Sequence, residues 1–169
     1  TAMIDYAPQT VNFIRSYNPV PSADAASIEE AARLINQSVK PLMLVGQGVE
    51  LAGARQELLE LCEKAQIPFG QTMLGLSAAP TNHPLNMGML GMHGNLAPNV
   101  MTNQCDLLIA VGMRFDDRVT GDLHTYAKQA KVIHFEIDPS EVGKIIKPTV
   151  AVLGDCKQTL AQVSALVEP

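Results

Sequence analysis

Two arginines and two aspartates crowd the stretch Gly112-Met113-Arg114-Phe115-Asp116-Asp117-Arg118-Val119-Thr120-Gly121, directly after the uncharged run Leu107-Leu108-Ile109-Ala110-Val111. Guanidinium groups are planar forks that match the oxygens of a diphosphate, and each charge-assisted contact contributes about 1.5–3 kcal/mol. Asp116 and Asp117 are placed to hold those arginines or to accept from ribose hydroxyls or a ring N–H. Gly112 lets backbone approach a ligand closely. The charges begin where an aliphatic strand would stop, and in an open α/β sheet the ligand crevice lies beyond the carboxyl ends of the strands. That position favours a binding loop over a solvated, salt-bridged one.

Four more clusters have the same relation to an apolar run. Gly46-Gln47-Gly48 follows Leu42-Met43-Leu44-Val45. It begins like a dinucleotide fingerprint, but Leu51 stands where GxGxxG has its third Gly, so a plain tight turn explains it equally well. Gly91-Met92-His93-Gly94 follows Leu85 to Leu90; the glycines free the backbone to set a polarizable Met and a hydrogen-bonding His against a flat ligand. Glu136 lies at the end of Val132 to Asp138, where a carboxylate can accept two vicinal hydroxyls. Gly154-Asp155-Cys156 follows Thr149 to Leu153.

The elements that must carry these turns are legible from periodicity and punctuation. Ser27-Ile28-Glu29-Glu30 is a capping box that opens a helix with Ala31, Leu34, Ile35 and Val39 on one face, ended by Lys40-Pro41. One helix with Ala54, Leu58, Leu61, Cys62 and Ala65 on one side follows the GQG turn. Residues 67–72 form a strand, 79–84 a loop, and 95–104 a helix leading to the 107–111 strand. Helices are expected over 122–130 and, after an Asp138 cap with Pro139 at N1, up to Gly143; the last spans 157–167. Alternation of this kind implies an α/β, Rossmann-like doubly wound sheet of about six mostly parallel strands with helices on both faces. Residues 1–26, with several Pro, Ser and Ala and little periodicity, suit a linker from a preceding domain, leaving 27–169 as the folded domain.

With 169 residues, 47% of them hydrophobic, the chain has material for a single core that is aliphatic and Met-rich, since it has four Phe, three Tyr and no Trp. A net charge of −5 with no basic patch argues against nucleic acid and anionic membrane as partners. No apolar run is long enough to span a bilayer, and the expected location is the cytoplasm. Cys62, Cys105 and Cys156 lack the spacing of a zinc site or a disulfide frame and are expected as buried thiols.

From about Lys40 onward, the combination of GQG, LGMHG, RFDDRVTG, the EID strand end and GD resembles the central domain of acetohydroxyacid synthase, also called acetolactate synthase large subunit, in the thiamine-diphosphate enzyme superfamily. LGMHG followed by RFDDRVTG carries the resemblance to that enzyme; the other turns are shared widely in the superfamily. The resemblance implies a Rossmann-like module, of the DHS-like NAD/FAD-binding type, that binds an extended FAD in a structural, non-redox role. The implied contacts come from Gly46, Gln47 and Gly48; Thr72, Met73 and Leu74; and Leu90, Gly91, Met92 and His93. They continue with Gly112, Met113, Arg114, Asp116, Arg118 and Val119, then Glu136 and Ile137, and finally Asp155 and Cys156. Met92, His93, Asp116 and Arg118 would lie nearest the substrate channel, in binding or positioning roles. Many family members have three glycines where this chain has Gly46-Gln47-Gly48, and Arg15 sits roughly where the family places a linker Arg on the FAD.

The same resemblance implies that thiamine diphosphate and Mg²⁺ belong to flanking domains of the parent chain. The 169 residues contain no GDG motif, so they are expected to supply no catalytic residue and no metal ligand and to be inactive alone. The parent is expected to be a homodimer or tetramer, with a possible regulatory subunit. It would condense two pyruvates, or pyruvate and 2-oxobutyrate, with decarboxylation in branched-chain amino-acid biosynthesis. Two alternatives remain at this stage: a ligand-free middle domain that supports the dimer of another thiamine-diphosphate decarboxylase, and a relative that binds ADP or NAD on the same turns.

Overall fold

The structure, a computed structural model, describes residues 20–169. Arg15 and most of the expected linker lie outside the described residues. Six parallel strands form one sheet: β1 (Pro41–Val45), β2 (Phe69–Gln71), β3 (Asn86–Met89), β4 (Leu107–Val111), β5 (Lys131–Glu136) and β6 (Val150–Leu153). Their spatial order is β3-β2-β1-β4-β5-β6, the order of Rossmann sheets, in which the direction of winding reverses between β1 and β4. The fold anticipated from alternation is the fold found.

Because successive side chains on a strand point to opposite faces, each strand feeds two cores. Met43, Val45, Ile109, Val111, Ile133, Phe135 and Val152 face the larger one. Three helices close it: α1 (Ala25–Gln37), α3 (Arg55–Lys64) and α6 (Cys156–Leu166). Leu42, Leu44, Leu108, Ala110 and Val132 face the smaller core with Leu90, Met113, Phe115 and Tyr126. Burying an aliphatic or aromatic side chain contributes roughly 1.5–3 kcal/mol, which explains the lack of polar alternation in the central strands. The remaining helices, α2 (Gln47–Leu51), α4 (Leu96–Thr102) and α5 (Asp117–Thr120), are short. No helix of the described residues is long and apolar enough to cross a membrane, and all three thiols are free and buried.

Local structure departs from the sequence expectations at five places. The cap of α1 is Asp24, whose carboxylate accepts from Ser27 N–H at 2.7 Å, while Glu30 pairs with Arg33 instead of reaching back. Val39 is not on the buried face: the helix ends at Ser38 in extended backbone and Val39 is 83% exposed, its N–H bonded to Asp106. The single helix expected after the GQG turn is two, α2 and α3, separated at Gly53 (φ 62°).

Residues 122–130 and 138–143 are turns, not helices. In the first, Asp122 forms an Asx turn with His124 N–H, Ala127 takes a positive φ of 47°, and Asn103 and Gln129 tie the segment to the end of α4. In the second, Asp138 accepts from Ser140 N–H at 2.9 Å and Gly143 turns left-handed after one loop. Side chains that offer backbone groups a local partner compete with helix propagation, and both segments contain one at their start.

Replacing a capping Asp by Ala costs about 1 kcal/mol. Asp24→Ala is therefore expected to lower stability by about that amount, and Ser27→Ala by clearly less, in urea unfolding followed by circular dichroism; equal losses would return the cap to Ser27.

Candidate functional site

The sheet ladder does not stop with the strands. Leu90 N–H bonds Gln71 O, Thr72 N–H bonds Val45 O, Gly46 N–H bonds Val111 O, and Gly112 N–H bonds Phe135 O, each at 2.9–3.0 Å. Gly154 N–H bonds Glu136 O at 2.9 Å. The connections leaving β1, β2, β3, β4 and β6 are thereby held one residue longer in register, while after β5 the Ile137 N–H turns to the Glu136 side chain, and all the turns emerge along one edge. Beyond that edge lies a groove of about 770 Å³, in the upper part of the range for small-molecule sites.

The contacts implied by the resemblance line this groove together, Gly91 and the undescribed Arg15 excepted. Its floor is at the reversal point, where the β1 and β4 turns meet backbone to backbone. Gly48 N–H bonds Gly112 O at 3.0 Å. A Cβ on Gly46 would sit 2.2 Å from Gly112 O, and one on Gly48 would be 2.6 Å from Gly112 Cα. The glycines thus serve first to bring two turns together. Gln47 between them is exposed to the groove and meets no such limit, so a side chain is accommodated at the middle of the three.

Gly91 takes part indirectly. It is buried at φ 97°, a Cβ there would lie 2.6 Å from Arg118 O, and Met92 N–H bonds that same oxygen at 2.8 Å. Both backbone groups of Gly91 are clamped by the Asn99 amide, at 2.8 and 2.9 Å. The space beside Gly91 is taken by protein, which is why it docks the Met92-His93 turn on the Arg118 turn and does not line the groove. Asn99 has no signal in the sequence, because its partner is main chain eight residues away. Leu51, Ala52 and Met89 also line the groove without having been anticipated; Leu51, at the third-glycine position, is the one the fingerprint comparison had marked.

The character of the groove changes along its length. At one end, beyond β2 and β3, Met73 and Leu74, 65% and 63% exposed, line it together with Met92 and His93. Arg114, beyond the central β4, and Arg118, beside the Met92 turn, are both exposed, and among the described residues neither is in an ion pair. The expectation that Asp116 or Asp117 holds them is not met. Asp116 caps α5 by accepting from Arg118 N–H at 3.0 Å, and Asp117, the first residue of that helix, does not line the groove.

At the far end are Glu136, Ile137, Asp155 and Cys156. Glu136 Oε1 accepts from Ile137 N–H at 2.9 Å and Asp138 N–H at 3.2 Å, and Oε2 lies 3.6 Å from His134 Nε2. Burial on its own raises this carboxyl, but His134 and the two backbone N–H groups outweigh it and bring it below 4.5. Asp155 caps α6 through Lys157 N–H and Gln158 N–H. Burial, with Glu136 and Asp155 adding, pushes the Cys156 thiol up to about 12, so at neutral pH it is packing, not a thiolate nucleophile. Among the described residues no three His, Cys, Asp or Glu side chains converge as a metal ion would require.

Comparison with known proteins follows the same lines. Residues 28–163 match the family described as thiamine pyrophosphate enzyme, central domain. The acetolactate synthase large subunit of Parasynechococcus marenigrum is 50% identical over 147 residues, covering 87% of this chain and 24% of that protein. The acetolactate synthase isozyme 1 large subunit of Escherichia coli K12 is 45% identical over 148 residues, covering 88% and 26%. The chain therefore spans about a quarter of the length of these relatives. An X-ray structure described as a thiamin diphosphate-dependent enzyme isolated from Mycobacterium smegmatis superposes with a TM-score of 0.73 at 24% identity, over 92% of this chain and 30% of that one.

Two outcomes test the geometry of the rim. Gly46→Ala should destabilise the chain by about 1–3 kcal/mol, as overpacking does, whereas Gln47→Ala should stay within about 0.5 kcal/mol; denaturant titration measures both. Glu136 has a folded value below its unfolded value of 4.5, so its stabilisation is complete above that pH and fades as pH falls through the lower folded value. Glu136→Gln should therefore flatten part of the acid limb of the stability–pH curve below pH 4.5, and an unchanged limb would show that the carboxylate is not held as described.

Proposed function

Because this chain belongs to the thiamine pyrophosphate enzyme central-domain family, we propose that it is the FAD-binding middle domain of an acetolactate synthase large subunit, with residues 1–26 leading in from a preceding domain. The observation that carries this reading is the two guanidinium groups, Arg114 and Arg118, without an ion-pair partner among the described residues, on the wall of one groove that has an apolar end and a carboxylate end. A long dinucleotide with a flat ring system, a central diphosphate and a terminal nucleoside has the same sequence of chemical properties. The size of the groove favours it over a mononucleotide.

The residues present fit such a group. Arg114 and Arg118 would hold the diphosphate above the floor where Gly46 and Gly48 pack on Gly112. Met73, Leu74 and Met92 would pack on the flat ring, a contact that suits soft, polarizable side chains, and His93 would offer a hydrogen bond. Glu136 and Asp155, whose carboxylates are already fixed by backbone N–H groups, would present acceptors to the nucleoside end.

In the parent reaction pyruvate is decarboxylated and the remaining two-carbon unit is joined to a second pyruvate or to 2-oxobutyrate. Thiamine diphosphate with Mg²⁺, held by other domains, supplies the electron sink for that chemistry. No electrons are gained or lost overall, which leaves FAD a structural role. Met92, His93, Asp116 and Arg118 would bind and position at the substrate channel, and none of them moves a proton. The chain alone should not turn over pyruvate. The parent would act in the cytoplasm as a dimer or tetramer of such subunits.

Titration of the chain with FAD, FMN, ADP and NAD⁺ tests this. The lack of Trp leaves flavin emission as a clean signal. FAD should bind tightest, and Arg114→Ala should weaken it by roughly tenfold or more, the equivalent of one charge-assisted contact. ADP binding tighter than FAD would favour an ADP- or NAD-binding relative, and no binding of any of the four would favour a structural spacer.

A further inference from the structure

Beneath the arginine turn lies a histidine that does not line the groove. His134, on β5 opposite Ala110, is fully buried on the side of the smaller core. Its Nε2 lies 2.8 Å from Met113 O. A carbonyl only accepts, so Nε2 carries the hydrogen. Nδ1 has no partner among the described residues. Burying an imidazole with one nitrogen unmatched costs free energy that an aliphatic side chain would avoid, so the site calls for a reason beyond packing.

The geometry of the turn supplies one. Phe115 has φ 55°, a conformation an aromatic residue adopts only when its surroundings impose it. Its ring is held between His134, at a centroid distance of 5.1 Å and an angle of 68°, and Tyr126, at 6.5 Å and 79°. Met113 and Phe115 are buried while Arg114 and Asp116 are exposed. The imidazole thus fixes the carbonyl immediately before Arg114 by a hydrogen bond and the ring immediately after it by contact. Nothing else described holds both sides of that arginine.

We propose that His134 is a positioning residue for ligand recognition: acting through Met113 O and the Phe115 ring, it aims Arg114 at the diphosphate without touching the ligand. This rests on the dinucleotide reading above. Strand β5 then contributes to the groove twice, through Glu136 at its rim and through His134 below it.

The test measures FAD affinity of the chain by flavin fluorescence for wild type, His134→Phe, His134→Gln, Arg114→Ala and the His134→Phe/Arg114→Ala pair. His134→Phe keeps the ring contact but loses the donor, and should weaken FAD about tenfold, whereas His134→Gln, whose amide can reach the same carbonyl, should stay within about threefold. Glu136 Oε2 lies 3.6 Å from the same nitrogen, beyond hydrogen-bond reach of it, so the pair should bind no more than about twofold weaker than Arg114→Ala, whereas a histidine acting on Glu136 would add its own loss. Wild-type affinity in His134→Phe, no rescue by Gln, or independent losses in the pair would each overturn the proposal. Should His134→Phe fail to fold, the imidazole ¹⁵N spectrum of the wild-type chain decides. FAD should shift the His134 nitrogens, and unmoved signals would overturn the inference. If FAD does not bind wild type, or binds Arg114→Ala equally well, the dinucleotide reading itself fails; if Arg114→Ala weakens FAD and the histidine variants do not, only the inference fails.

Discussion

The hydrogen-bond ladder that runs one residue past the end of five of the six strands is what everything at the rim depends on. Parallel strands have evenly spaced bonds and no natural stopping point, and here the turn residues Thr72, Leu90, Gly46, Gly112 and Gly154 all donate to a neighbouring strand's last carbonyls. Turns that would otherwise be independent surface loops are thereby fixed relative to one another. Without that extension, the side chains of five strand ends would share a sheet but not a site.

On this foundation the groove acquires a graded chemistry, from exposed methionines and leucine through exposed guanidinium groups to carboxylates held by backbone N–H. The carboxylates are stiff because each already serves the chain: Asp116 and Asp155 cap the first turns of α5 and α6, and Glu136 closes the turn after β5. The arginines are the opposite case, with no described carboxylate to satisfy them. Charges left unmatched on a fixed turn are the feature that distinguishes a binding rim from a surface loop.

Much of this was legible in the sequence because it rests on local pattern. Unbroken aliphatic runs give central strands, and charge or glycine immediately after them gives the rim, so the strand order's consequences could be anticipated before the order was known. What escaped has a shared cause. Asp24 in place of Ser27 as the cap, the turns at Asp122 and Asp138, and the Asn99 clamp on Gly91 are all polar side chains choosing among nearby backbone partners. Composition permits several such choices and tertiary packing selects one. The glycines were recognised for closeness, but whether main chain or ligand comes close is decided only when β1 and β4 are neighbours. The aromatic trap around Phe115 was invisible for a similar reason: Tyr126 and His134 lie on either side of it only because an irregular segment returns over β5.

The contact of Gly46 and Gly48 with Gly112 has an implication for how such a groove can diversify. The distance between its two central walls is set by main-chain atoms and the Met113 Cβ, while Gln47, Met73, Leu74 and Met92 are exposed on that framework. Shape and selectivity are consequently inherited from different residues, and the lining can be exchanged for another cargo while the berth keeps its width.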